Sequence, residues 1–162
     1  MKRWCGLLFC LVFSAQAETF DAKVIAVLDG DTVLVLRDQQ KIKARLLAID
    51  APEKTQPYGR RSRRSLCELV CKRDVRLETQ AVDQYKRLLA TLYVDGRNIN
   101  QEQVRRGMAW EYSHHHADQT YLALQQEAQQ ARRGLWADAE PTPPWQWRRA
   151  HPWQPKPAAG TP

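Results

Sequence analysis

The residues with chemistry to offer are acids and arginines set around turns. Asp31 follows an Asp29-Gly30 turn, and Asp50 and Glu53 flank Ala51-Pro52. Carboxylates brought together repel unless a cation holds them, and oxygen ligands favour a hard ion, calcium or magnesium. Arg45 precedes Asp50 by five residues, and Arg87 follows Tyr85 by two. An arginine fork grips a phosphate through two parallel hydrogen bonds and stays charged throughout. Each residue also has an ordinary alternative. Asp-Gly-Asp-Thr is common loop sequence, and a lone arginine in so basic a chain is usually a surface residue.

These residues need elements to hold them. Thr19 to Leu36 reads as two strands, with Phe20, Ala22, Val24, Ala26 and Leu28 alternating on one face and Asp29-Gly30 as a turn. Lys41 to Ile49 alternates again, with Ile42, Ala44 and Leu46 opposite Lys43, Arg45 and Leu47. In such a meander the start of one strand and the end of its antiparallel neighbour share a rim, so Asp31, Asp50 and Glu53 converge. Pro52 stops the ladder. Tyr58 to Cys71 predicts a helix with Tyr58, Leu66, Leu69 and Val70 inward and Arg60, Arg61, Arg63 and Arg64 outward. Val75 to Thr79 and Leu88 to Val94 predict two more strands.

Asn100 is a candidate cap for a further helix stopped at Gly107. Asp118 is the candidate cap of the last helix, whose face runs Tyr121, Leu124, Ala128, Ala131 and Leu135 before Gly134 ends it. The order βββαββαα fits an α+β, mainly β domain, a five-stranded OB-fold barrel with three helices. Periodicity alone leaves other small α+β architectures open.

The chain has 162 residues, a length suited to one domain. Lys2 and Arg3, a short apolar run and Ala15-Gln16-Ala17 predict a secretory signal peptide over residues 1–17. The domain is expected over residues 18–140, and a Pro/Trp-rich tail, disordered from about His151, over 141–162. Tail prolines argue against regular helix there, and Trp145 and Trp147 are expected to pack back on the barrel. Signal removal lowers the net charge from +7 to +5, which suits an anionic partner. Cys67 and Cys71 then remain; export permits a disulfide, but their spacing in a helix is awkward, so bridge and free thiols both stand. His114-His115-His116 reads as a solvated loop rather than a metal site.

Five motifs occur in order: Asp29-Gly30-Asp31-Thr32; Arg45-Leu46 leading to Asp50-Ala51-Pro52-Glu53; Asp83-x-Tyr85-x-Arg87; Asn100; and Arg105-x-Gly107-x-Ala109. Over Thr19 to Trp136 the chain thereby resembles the staphylococcal nuclease (thermonuclease) family. The resemblance implies calcium held by Asp31, Asp50 and the backbone carbonyl of Ala51. It implies catalytic roles for Glu53 as general base and for Arg45 and Arg87 as phosphate-gripping arginines. Tyr85 falls near a bound nucleotide's phosphate, Lys86 can help hold substrate, and Trp110 and Tyr112 fall where aromatics stack on a base. One position departs: the family usually has glycine where Lys86 stands, and a positive φ there costs lysine about 1 kcal/mol.

The implied activity is calcium-dependent hydrolysis of DNA and RNA to 3′-phosphate products, with single-stranded or denatured substrate preferred. The implied protein is a secreted or periplasmic monomer with no stable membrane association after signal cleavage. The rival is a catalytically weak or inactive OB-fold nucleic-acid-binding module. Retention of both arginines and all three acids argues against it.

Overall fold

The computed structural model describes residues 18–113 and 118–152. The expected signal segment, the three consecutive histidines and the chain from residue 153 lie outside the described residues.

Five long strands form the barrel: β1 (Thr19–Val27), β2 (Thr32–Arg37), β3 (Gln40–Leu46), β5 (Asp74–Val82) and β6 (Leu88–Val94). β1 lies between β2 and β5, each antiparallel to it; β3 flanks β2 and β6 flanks β5. A parallel pairing of β3 with β6, with Ala44 opposite Leu88 and Arg45 opposite Leu89, closes the sheet on itself. The five strands therefore form a closed OB-type barrel. Val24, Val33, Val35, Ala44, Leu46, Leu77, Ala90 and Leu92 fill its interior and are almost fully buried.

Strand β1 departs from simple alternation. Its register shifts between Val24 and Ala26. The bulge turns Val27 inward in place of the expected Ala26 and Leu28. The third strand is also shorter than its alternation predicts. Ala48 takes a positive φ of 61°, so the chain kinks, and Ile49–Asp50 becomes a separate strand, β4, paired with β8 (Trp110–Glu111). The kink re-aims Asp50 from the barrel wall toward the rim.

Helix α1 (Gly59–Val70) packs Leu66, Leu69 and Val70 inward and leaves Arg60, Arg61, Arg63 and Arg64 exposed. It ends at Cys71, where the backbone leaves helical geometry and a Cys67–Cys71 disulfide forms. The chain turns away within the bridged segment, which resolves the awkward spacing. After β6 a short strand, β7 (Arg97–Asn98), leads into α2 (Ile99–Arg105).

Asn98, not Asn100, caps α2, its side chain accepting from the Gln101 N–H. Asn100 lies fully buried instead. Its Oδ1 accepts from the Leu92 N–H at 3.1 Å, and its Nδ2 donates to the carbonyls of Leu47 and Ala90. Asp118 does cap α3 (Gln119–Gln130) through the Thr120 N–H. That helix stops before Leu135, which instead sits buried in a 3₁₀ turn over Gly134–Ala137.

The tail holds a fourth helix, α4 (Pro144–Ala150), where the prolines argued against one. Pro144 occupies the first helical position, whose N–H has no partner in any helix, so it starts α4 rather than breaking it. Trp145 packs edge-on against Trp110, and the Gln56 side chain donates to the Thr142 carbonyl at 2.6 Å. Among the described residues no helix is long and apolar enough to cross a membrane.

Candidate active site

One cleft of about 530 Å³ opens at the barrel rim and is lined by Asp31, Arg45, Asp50, Glu53, Arg87 and Tyr112, among others. The β2–β3 ladder explains the first of these. Thr32 pairs with Arg45, and the Leu46 N–H donates to the Asp31 carbonyl, so Asp31 sits at the rim against the end of β3. The backbone there is tight. A Cβ on Gly30 would lie 1.8 Å from Ser62 Oγ on α1 and 2.7 Å from the Ala51 Cβ. Only glycine lets the Asp31 turn, the Ala51 loop and α1 meet. Gly59 does the same for Glu53, whose carbonyl would lie 1.9 Å from an added Cβ.

Asp31 and Asp50 are both buried. Arg45 Nη2 lies 3.1 Å from Asp31 Oδ2 and 3.0 Å from Asp50 Oδ1, so one nitrogen serves both carboxylates. The Ala51 N–H donates to Asp31 Oδ2 at 2.7 Å, and Thr32 Oγ1 donates to Oδ1. Burial pushes the Asp31 carboxyl well above the ordinary carboxylate range, and the charge of Arg45 offsets only part of that. Arg45 is rigidly placed, because its Nη1 donates to the carbonyls of Leu46 and Ile49 at 2.8 Å each.

Three acids were expected to converge, yet no group of three metal-ligating side chains forms among the described residues. The close pair is Asp31 and Asp50. Glu53 stands further out and is reached through Arg148 of α4, whose Nη1 donates to Glu53 Oε1 at 2.8 Å and whose Nη2 donates to Asp50 Oδ2 at 2.7 Å. The pair nevertheless suits a hard cation. Two carboxylate oxygens already share one cationic nitrogen at about 3 Å, so a single ion between them reaches both.

Arg87 faces the same cleft from the start of β6. Its Nε donates to Asp83 Oδ2 at 2.7 Å, and its own N–H and that of Tyr85 donate to Asp83 Oδ1 at 2.9 Å. Burial raises the Asp83 carboxyl, but these bonds outweigh it and hold the group below its ordinary value. Lys86 takes a φ of 59°, the left-handed region where the family's glycine is at ease. Its side chain is not among those lining the cleft. Tyr85 lines the cleft although largely exposed, with the Arg87 guanidinium 5.3 Å from its ring centroid.

The aromatics divide. Tyr112 lines the cleft and stacks on Trp145 with ring centroids 5.2 Å apart. Trp110 does not line it. Its ring packs against Trp136 and Trp145, in a cluster that joins the tail to the barrel. Sequence reasoning missed two site residues, Asp83 as the holder of Arg87 and Arg148. The first had a signal, a carboxylate four residues before the arginine in a turn. The second had none, since it comes from the proline-rich tail.

Two buried acids and two arginines at the rim of a closed OB barrel make a site for handling phosphate. The chain belongs to the staphylococcal nuclease family: residues 43–138, more than half its length, match the family described as "Staphylococcal nuclease homologue". It is 42% identical over 144 residues to an "Uncharacterized endonuclease" of Haemophilus influenzae, covering 88% of this chain and 81% of that one. It is equally 42% identical over 150 residues to an "Uncharacterized endonuclease" of Escherichia coli, covering 91% and 98%. A "Micrococcal nuclease" of Shigella flexneri is 38% identical over 152 residues, covering 86% and 87%. The activity class is thus that of a nuclease, a hydrolase with nucleic acid as substrate.

Proposed function

We propose that this protein is an exported, calcium-dependent nuclease that cleaves DNA and RNA to products ending in 3′-phosphate. The observation that carries the reading is the shared approach of Asp31 and Asp50 to one cationic nitrogen, with Arg87 lining the same cleft. Calcium bound at Asp31 and Asp50, with the Ala51 carbonyl as a further ligand, would supply charge neutralisation at a non-bridging phosphate oxygen.

The chain's own residues do the rest. Glu53 orients a water or accepts its proton as the water oxygen bonds to phosphorus. The bond from phosphorus to the 5′-oxygen breaks, that oxygen takes a proton from solvent to leave as a hydroxyl, and the phosphate stays on the 3′ side. Arg87, held by Asp83, stabilises charge on the phosphoryl oxygens. Arg45 can add a second such contact once its Nη2 is released from the two carboxylates. Tyr112 lines the cleft and can take a base out of its stack in exchange for Trp145, which favours single-stranded or denatured substrate. Grip on phosphate rather than base edges suits both DNA and RNA. Export rests on the basic and apolar N-terminus, and N-terminal sequencing of the mature protein tests cleavage after Ala17.

The test is digestion of heat-denatured DNA by the mature protein with calcium and then with excess chelator. Calcium-dependent cleavage leaving 3′-phosphate ends supports the reading. Cleavage that ignores chelator overturns the role given to Asp31 and Asp50. Binding without cleavage favours the rival, an inactive OB-fold nucleic-acid-binding module. Glu53→Gln and Arg87→Ala should each lower turnover by orders of magnitude with circular dichroism unchanged.

A further inference from the structure

The tail reaches into the cleft with Arg148 and touches its edge with Trp145, which stacks on the lining residue Tyr112. Arg148 joins the acids: its Nη2 is 2.7 Å from Asp50 Oδ2, and its Nη1 is 3.2 Å from Asp50 Oδ1 and 2.8 Å from Glu53 Oε1. Trp145, one helical turn earlier, stacks on Tyr112 with the rings 20° from parallel. The base of the segment is pinned by Gln56 on the Thr142 carbonyl. Arg148 is itself 43% exposed, whereas the Asp50 side chain it covers is 2% exposed.

A buried carboxylate needs a positive partner, and one arginine shared between two such groups leaves charge over. Arg45 serves Asp31 and Asp50 together, and Arg148 makes up the deficit at Asp50 and Glu53. An inner-sphere divalent ion on Asp50 competes for the lone pairs that the Arg148 guanidinium engages, one on each carboxylate oxygen. The face of Tyr112 that Trp145 covers cannot at the same time receive a base.

We infer that Arg148 is a further residue of the active site, an internal counter-ion that competes with the divalent cation for Asp50. Helix α4 is then a strap that fills the seats of ion and base until both arrive. This rests on the proposed assignment of a cation to Asp31 and Asp50. Releasing Arg148 costs the ion part of its binding energy, so apo protein binds cation more weakly than its carboxylates alone would.

The experiment is calcium binding by calorimetry, without nucleic acid, on the wild type, Arg148→Ala, Arg148→Gln and Arg149→Ala. Arg149 neighbours Arg148 on α4 and is exposed, so its removal reports loss of charge without loss of the contact. The expected result is an affinity gain of about fivefold or more for Arg148→Ala and Arg148→Gln, and of less than about twofold for Arg149→Ala. In thermal melts, Arg148→Ala should unfold at a lower temperature than wild type without calcium and at the same temperature when calcium is saturating. Wild-type binding that the Arg148 variants leave unchanged or weaken overturns the competition alone. An equal gain in Arg149→Ala reduces it to bulk charge. No calcium binding by wild type, with Asp50→Asn indistinguishable from it, overturns the cation assignment beneath it.

Discussion

Asp83→Asn isolates how Arg87 is aimed. In the native turn Asp83 Oδ1 accepts from two backbone N–H groups, and Oδ2 accepts from Arg87 Nε. An asparagine oxygen can keep the two backbone bonds. Its amide nitrogen then faces the arginine donor, and the guanidinium swings free. Stability should fall by about 1 kcal/mol, the worth of one side-chain bond, whereas Asp83→Ala should cost about 2–3 kcal/mol because the turn bonds go as well. Turnover should fall more steeply. Misplacing a charge-stabilising group by about 1 Å costs roughly 10²-fold.

The assay is kcat/KM on a short single-stranded oligonucleotide beside a urea unfolding curve. Because Asp83 acts through Arg87, Asp83→Asn in an Arg87→Ala background should cost little more activity than Arg87→Ala alone. There is also a pH signature. The folded Asp83 carboxyl lies below its ordinary value of 3.8. Its contribution to stability is therefore full above that value and lost as pH falls through the folded pKa, and Asp83→Asn should flatten that acid loss. A variant that cleaves within about threefold of wild type would refute the positioning role.

Three further outcomes are expected. Lys86→Gly should gain about 1 kcal/mol, since φ is 59° there, and an unchanged melting temperature would show that the strain is absorbed elsewhere. Asn100→Ala should cost about 2–3 kcal/mol in urea unfolding, because it removes the bonds to the Leu92 N–H and the half-buried Leu47 carbonyl, while the Ala90 carbonyl keeps the Leu47 N–H. Replacing both cysteines by alanine should cost about 2 kcal/mol, the loop-closure value for a bridge spanning a separation of 4, and equal stability with and without reductant would contradict that.

The site was legible in the sequence wherever a short-range rule placed it. Alternation in β3 and a turn before β2 were enough to set Asp31 against the end of β3, whereas the kink at Ala48 that carries Asp50 to the same rim had no signal. Asp118 announced its own helix by capping chemistry. What failed to show was long-range or compensated. The bulge in β1 is a one-residue shift that alternation cannot reveal. Asn100 looked like a cap because its type suits one, but its side chain is held by β6 just before it and by the Leu47 carbonyl 53 residues away. Proline in the tail read as a helix breaker, although at the first position of α4 it is a helix starter. Arg148 sits 98 residues from Asp50, and no local pattern could join them.

The parallel seam between β3 and β6 has a kinetic meaning. Arg45 lies within this seam and Arg87 just before its first pair, Ala44 with Leu88. Every other long-strand pairing of the barrel is antiparallel. The seam joins residues 44 apart, as Ala44 and Leu88 are, and the β1–β5 pairing joins residues still farther apart, as Lys23 and Asp74 are; both form late because loop entropy is lost before contacts return it, and the seam is the pairing that closes the barrel. A chain that has formed every antiparallel pairing, β4 with β8 included, but not this seam has its acids in place and its arginines apart. During refolding, cleavage should return after strand content does, and its recovery rate is then a clock for barrel closure.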